Sequence, residues 1–222
     1  MKRLVLAALM TFTFLIQAGC GNDGGSAQPL FVAHILSDSA SDGDIARDAV
    51  SGVFTVTQGM SSSVQSVFAG IDPTTGAEYR TFLDFPLTGA GGVPGSAVIA
   101  SAFLDIVITS ILPQPLSGTI PIRIDLVSFQ PPTLVGADFD RTLQPALATT
   151  TIIPPISQSD FGGHVTVDVT ALMVEAQRLG LLNFQVRILR DLGTAAPGLI
   201  EINDTTGANR STLAPLLQVS YF

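Results

Sequence analysis

Apolar residues recur in this chain with a period of two, in short runs separated by clusters of Gly, Pro, Asn and Asp. Side chains of a β-strand point alternately to opposite faces, so this period marks strands with one face in a core. From Val98 the even positions Val98, Ala100, Ala102, Leu104, Ile106 and Ile108 are all apolar. The odd positions mix Ser101, Asp105 and Thr109 with Ile99, Phe103 and Val107. Ile120, Ile122, Ile124 and Leu126 repeat the pattern with Arg123 and Asp125 facing away, and runs around Val165–Val169, Phe184–Ile188 and Leu217–Tyr221 do the same. Shorter candidates are Phe31–Leu36, Val53–Thr57, Val64–Ala69, Tyr79–Leu87, Thr149–Ile153 and Leu199–Asn203. Turn chemistry separates them at Asp72–Gly76, Gly89–Gly95 and Pro113–Gly118. Only Ala171–Leu179 reads as a helix, with Thr170 as its N-cap and Gly180 as its stop. About eleven short strands, one short helix and no βαβ alternation predict an all-β fold, a β-sandwich of jelly-roll type.

Charge narrows the partners. Ten basic residues oppose eighteen acidic ones, for a net charge of −8. Two of the ten are Lys2 and Arg3, so everything beyond them carries Arg and no Lys. Such a surface repels a phosphate backbone, which excludes nucleic-acid binding as a main function. Hydrophobic residues at 46% are too many for a disordered chain.

The N-terminus reads as an address. Met1-Lys2-Arg3 precedes an apolar run from Leu4 to Ile16, too short for a permanent span and suited to a signal-peptide core. Ala18 and Gly19 then precede Cys20, the single cysteine of the chain. This resembles the lipobox of bacterial lipoproteins, with Gln17 where that family usually has Leu. The resemblance implies cleavage after residue 19, acylation of Cys20 and, with Gly21 following, an outer-membrane or cell-surface location. A rival is ordinary cleavage after Ala27. Residues 1–19 are thus a signal, 20–30 a Gly- and Asn-bearing tether, and 31–222 one β-sandwich domain.

A second resemblance covers much of that domain. Arg80-Thr81-Phe82-Leu83-Asp84-Phe85-Pro86-Leu87, a Gly/Pro loop and Ser96–Leu104 are similar to the R-x-L-L-x-F-D-L strand and I-x-S-A-x-L block of the DNRLRE domain, grouped with carbohydrate-binding module family 96. Asp168-Val169-Thr170 resembles its D-V-T element, and Pro215–Tyr221 its closing strand. The resemblance implies a jelly-roll sandwich on a secreted or surface protein, often without catalytic activity of its own. Composition pulls against a glycan partner, because Trp and, past the start, Lys are absent.

Candidate sites are few. Asp38, Asp42, Asp44 and Asp48 fall within eleven residues around Gly43 and could gather about a structural Ca²⁺, although the spacing is not that of an EF-hand and a solvated acidic loop is the simpler reading. Arg80 and Asp84 share a strand face and are expected to pair near the sandwich edge. Asp168 is expected to help cap the helix together with Thr170. Asp105 and Asp125 are outward-facing carboxylates on neighbouring candidate strands, a weak glycosidase pair or simply solvated charge. His164 is expected on an outward face and His34 at a strand edge. Nucleophile-elbow, zinc-protease and phosphate-loop motifs are missing. The expectation is a non-catalytic, lipid-anchored surface module of structural or adhesive character. A carbohydrate-binding module for a neutral or weakly charged cell-surface or extracellular polysaccharide is the alternative. Its partners would be the membrane, through the lipid, and an extracellular protein or glycan, with no cofactor beyond the possible calcium.

Overall fold

The computed structural model describes residues 28–222 apart from 60, 62, 64, 131, 132 and 192–196, so the signal segment, Cys20 and tether residues 20–27 lie outside the described residues. Among the described residues twelve strands are all paired antiparallel in one strongly curled sheet. In chain order they are β1 (Phe31–Leu36), β2 (Gly43–Arg47), β3 (Phe54–Gln58), β4 (Ser66–Ile71), β5 (Glu78–Pro86), β6 (Ile99–Leu112), β7 (Ile122–Val127), β8 (Ala148–Thr151), β9 (His164–Asp168), β10 (Asn183–Arg190), β11 (Gly198–Asn203) and β12 (Leu216–Tyr221). The main path runs β1-β12-β6-β11-β4-β5-β10-β7-β8, with β2 pairing β5 and β3, and β9 pairing β6. Among the described residues two α-helices join them, α1 (Thr170–Arg178) and the short α2 (Arg210–Leu213).

The sheet closes on itself because β6 belongs to both halves. Residues 99–107 of this strand pair with β12 and β9, and residues 108–112 pair with β11. One apolar core joins the two halves, with Ala102, Leu104, Ile106 and Ile108 from β6 meeting Leu83, Phe85, Ile124, Phe184, Val186 and Ile200 from the opposite half. The architecture is therefore an all-β sandwich of jelly-roll-like character, as the alternation predicts. Leu172, Met173 and Ala176 of α1 are buried in the same core. The helix ends where expected: Gly180 has φ +66°, and its N–H and that of Leu181 reach back to the carbonyls of Gln177 and Ala176. That pair of bonds is the Schellman arrangement, which an L-residue in the left-handed region disfavours.

Two expectations of register need correction. Val98 and Ala100 are exposed although they share the parity of Leu104. The register slips between Ser101 and Ile99, where Ala100 is an extra residue against β12, and again at Thr109 against β11. A β-bulge turns the strand by one position, so the inward set changes from odd to even and back to odd at Ile111. The second correction is β2: the stretch read as an acidic loop is a strand laid between β3 and β5.

The half containing β5, β10 and β7 is buried on both faces. Leu83, Phe85, Val186 and Ile124 face the main core, while Phe82 and Val127 face outward into a second cluster with Ile45, Phe129, Leu134 and Phe139. The connection between β7 and β8 supplies Phe129, Leu134 and Phe139, the last from a 3₁₀ turn at Gly136–Phe139. Continuous apolar runs such as Phe82-Leu83 arise because neither face is wet.

The register yields a direct test. Leu104 is fully buried, whereas Asp105 is half-buried and bonds His164 and Thr166 at the surface. Leu104→Asp should place an unpartnered carboxylate in the core and unfold the domain in denaturant titrations. Asp105→Asn should change stability by only about half a kcal/mol. The reverse order would mean that β6 is out of register by one residue.

Candidate functional site

The four aspartates around Gly43 do not gather. Asp38 is exposed and closes its own turn, accepting from Ala40 N at 3.1 Å and Ser41 Oγ at 3.3 Å. Asp48 lies past the far end of β2, where its Oδ1 accepts from Val50 N, Ser51 N and Ser51 Oγ and holds the turn into β3. Those bonds keep its carboxyl below the ordinary range. Asp44 is a strand residue, buried, with a single bond from Phe68 N at 3.3 Å. It lines a pocket of about 390 Å³ with Thr57, Gln65, Ser66, Phe68 and Tyr79. Burial raises its pKa to about 7, and the Phe68 bond offsets only part of that.

Asp42 has a different neighbourhood. Its Oδ1 accepts from the main-chain N–H of Asp84 at 2.7 Å, joining the β1–β2 turn to β5. Its Oδ2 is buried without a hydrogen-bond partner, and so are Ser37 Oγ and Asp204 Oδ1. Burial raises the Asp42 pKa well above the ordinary value, and the charge of Asp204 raises it further. Asp204 is itself raised to about 6, by burial and against the pull of Arg210; Ser37 and Asp42 lie close enough to lower it, though outside hydrogen-bond geometry.

The expected Arg80–Asp84 pair is not formed. Asp84 is buried and accepts twice from Asn183 Nδ2, at 2.9 and 3.0 Å, because β10 rather than Arg80 lies beside it. Arg80 turns the other way. Its Nε and Nη2 donate to Glu78, its Nη1 donates to the carbonyl of Phe139, and its guanidinium carbon stands 3.8 Å from the centre of the Phe139 ring. Nor do Asp105 and Asp125 form a pair, since β6 and β7 are not neighbours in the sheet. Asp125 is fully buried beneath the β7–β8 connection and salt-bridged to Arg187 at 2.9 Å, Arg123 at 2.9 Å and Arg141 at 3.0 Å. Burial pushes its carboxyl up, but the bonds from Arg187 and Arg123 and the nearby charges outweigh that and leave it below the ordinary range. Arg187, equally buried, also donates to the carbonyls of Asp138 and Gln144, so the ion pair fastens the connection onto the sheet.

This arrangement collects cations along the same outer face. Arg47, Arg80 and Arg141 line a pocket of about 450 Å³ with Gly52, Phe54, Phe139 and Asp140. Arg47, exposed at the end of β2, makes no ion pair among the described residues. Arg141 reaches Asp125 through Nε alone. Phe54 and Phe139 pack with ring centres 5.3 Å apart. Counting basic residues missed this pocket, because only the pairing of β2 with β5 and the fold of residues 136–141 bring the three together.

At the helix, Asp168 Oδ1 accepts from Thr170 N at 2.8 Å and so satisfies a first-turn donor, as expected. Thr170 is the first helical residue and not the cap; its Oγ1 accepts from Ala102 N at 2.9 Å and pins α1 to β6. His164 is half exposed on Asp105, and His34 is exposed on β1.

No protein-family model matches the chain, and no curated protein sequence matches it significantly.

Asp44 sets a pH dependence. Its folded pKa exceeds the ordinary carboxyl value of 3.8, so its contribution to stability is complete below that value and is lost as pH rises through about 7. In chelator, the thermal midpoint should fall from about pH 5 to about pH 8, and Asp44→Asn should flatten the fall. The slope should not vanish, since Asp42 and Asp204 are shifted the same way. A variant with the wild-type slope would show that Asp44 titrates like an exposed carboxylate.

Proposed function

We propose that the protein is a non-catalytic surface module, held in the bacterial envelope by a lipid on Cys20, whose adhesive contact is the pocket of Arg47, Arg80 and Arg141 and whose ligand is an anionic glycan. The pocket carries the reading. In a chain of net charge −8 it concentrates three guanidinium groups beside two phenylalanine rings. Arg47 presents a guanidinium fork, unpaired among the described residues, that suits a carboxylate bidentately. Arg80 and Arg141 add positive charge behind it, and the exposed ring of Phe54 suits the apolar face of a sugar. The DNRLRE-like blocks and the lipobox-like Ala18-Gly19-Cys20 support the same surface role. Asp140 at the rim favours a ligand whose hydroxyls face it while its acid groups face the arginines.

Two measurements test the proposal. The Arg47 side chain makes no ion pair among the described residues, so Arg47→Ala should leave the thermal midpoint unchanged. The same variant should weaken an oligouronate by about tenfold, the scale of one lost charge-assisted hydrogen bond. A neutral oligosaccharide of equal length should bind weakly to both forms. Equal binding of the neutral sugar would remove the charge argument, and no glycan binding at all would leave a purely structural module. Separately, Cys20→Ala should move the protein out of the membrane fraction and abolish incorporation of a fatty-acid analogue. Unchanged membrane association would count against the anchor.

A further inference from the structure

We propose that Ser37, Asp42 and Asp204 form a binding site for one divalent cation, Ca²⁺ by the chemistry of its donors, which ties the β1–β2 turn to the β11–α2 connection. The three side chains come from positions far apart in sequence and meet at one end of the sandwich. Ser37 N–H bonds the carbonyl of Pro215 at 3.0 Å, Asp42 Oδ1 holds Asp84 N–H at 2.7 Å, and Asp204 N–H bonds the carbonyl of Gln65 at 2.8 Å. Bonds to the main chain thus fix each residue, while Ser37 Oγ, Asp42 Oδ2 and Asp204 Oδ1 are left over.

Those leftover oxygens are the argument. Ser37 is 1% exposed, Asp42 0% and Asp204 4%, and Ser37 Oγ, Asp42 Oδ2 and Asp204 Oδ1 have no hydrogen-bond partner. A buried polar atom without a partner costs on the order of 1–3 kcal/mol, and more if it is charged. Three together indicate a missing electrophile. Arg210 is the nearby cation, yet its guanidinium is committed to the carbonyls of Ser37 and Thr205. Asp38 and Asp84 add negative charge around the pair. A single shared proton would join the two carboxylates but leave one negative charge buried between them, whereas a divalent ion neutralises both and takes all three oxygens.

The donor set contains oxygen only, which selects a hard cation over zinc or copper. Ca²⁺ accepts irregular shells of about six to eight oxygens, completed by carbonyls and water, while Mg²⁺ demands octahedral geometry and keeps its water. The site differs from a cation held by the Asp38–Asp48 stretch, since Asp48 closes a remote turn and Asp44 faces Phe68.

The test uses the full-length protein in detergent, stripped with EGTA and titrated calorimetrically with CaCl₂. We expect one Ca²⁺ per chain, weaker binding of MgCl₂, and a thermal midpoint that rises with Ca²⁺. Asp42→Asn and Asp204→Asn should each weaken binding at least tenfold, Ser37→Ala less so, and Asp48→Asn not at all. In EGTA the two Asn variants should melt no lower than the wild type, because each removes a buried charge without removing a hydrogen-bonded partner. If Asp42→Asn does not fold, Asp204→Asn and Ser37→Ala still decide. A wild-type midpoint and calorimetric trace indifferent to Ca²⁺ overturns the site. So does binding that survives Asp204→Asn but is lost in Asp48→Asn.

Discussion

A single fourteen-residue strand holds the two halves of this sandwich together. Ile99–Leu112 pairs with β12 and β9 along its first part and β11 along its last, and its side chains Leu104, Ile106, Ile108 and Ile111 are fully buried. A strand of that length can serve two half-sheets only if it bends and twists, and the bulges at Ala100 and Thr109 supply the bend. Because every bulge moves the inward set by one position, the core depends on both occurring where they do. The other strands are shorter and take their places by pairing outward from this one.

The second constraint is the covered outer face. A sandwich sheet normally buries one side and wets the other. Here the β7–β8 connection lies over β5, β10 and β7 while β2 and β3 extend the sheet beside β5, so Arg187 and Asp125 pair in a dry environment beneath the connection. Such a buried pair contributes little net stability but is costly to break by half, so its effect is to specify how the connection docks. Docking in that way brings Arg141 to Asp125 and the Phe139 carbonyl to Arg80, which in turn shapes the arginine pocket. Structure and proposed function share that ion pair.

The two candidate sites lie on different parts of the sheet and rest on different physics. The arginine pocket has cations whose charge is only partly neutralised near solvent. The Ser37–Asp42–Asp204 group has carboxylates with too little compensation in the interior. An acidic chain with few basic residues would ordinarily be read as uniformly negative, yet folding brings three arginines together in one pocket, where Glu78 and Asp125 pair two of them. Asp204 and Asp42 converge at one end, while Arg47, Arg80 and Arg141 converge over the outer face.

The alternation of Leu104, Ile106 and Ile108, or of Phe184, Val186 and Ile188, determined the strands and hence the all-β class, because side-chain parity is a local property of extended backbone. Gly180 likewise marked the end of α1, since its left-handed φ follows from local sterics. The strand β2 was not legible: Gly43, Asp44 and Asp42 look like a solvated turn, and only burial against β5 makes them a strand. Asp125 likewise reads as a wet strand charge until Asp138, Arg141 and Gln144 fold over it and Arg187. Both candidate sites belong to this second class, because Asp42 and Asp204, or Arg47 and Arg141, meet through strand pairing between distant segments. Periodicity records which way a side chain points from its own backbone; which other backbone covers it is decided by the pairing of the whole sheet.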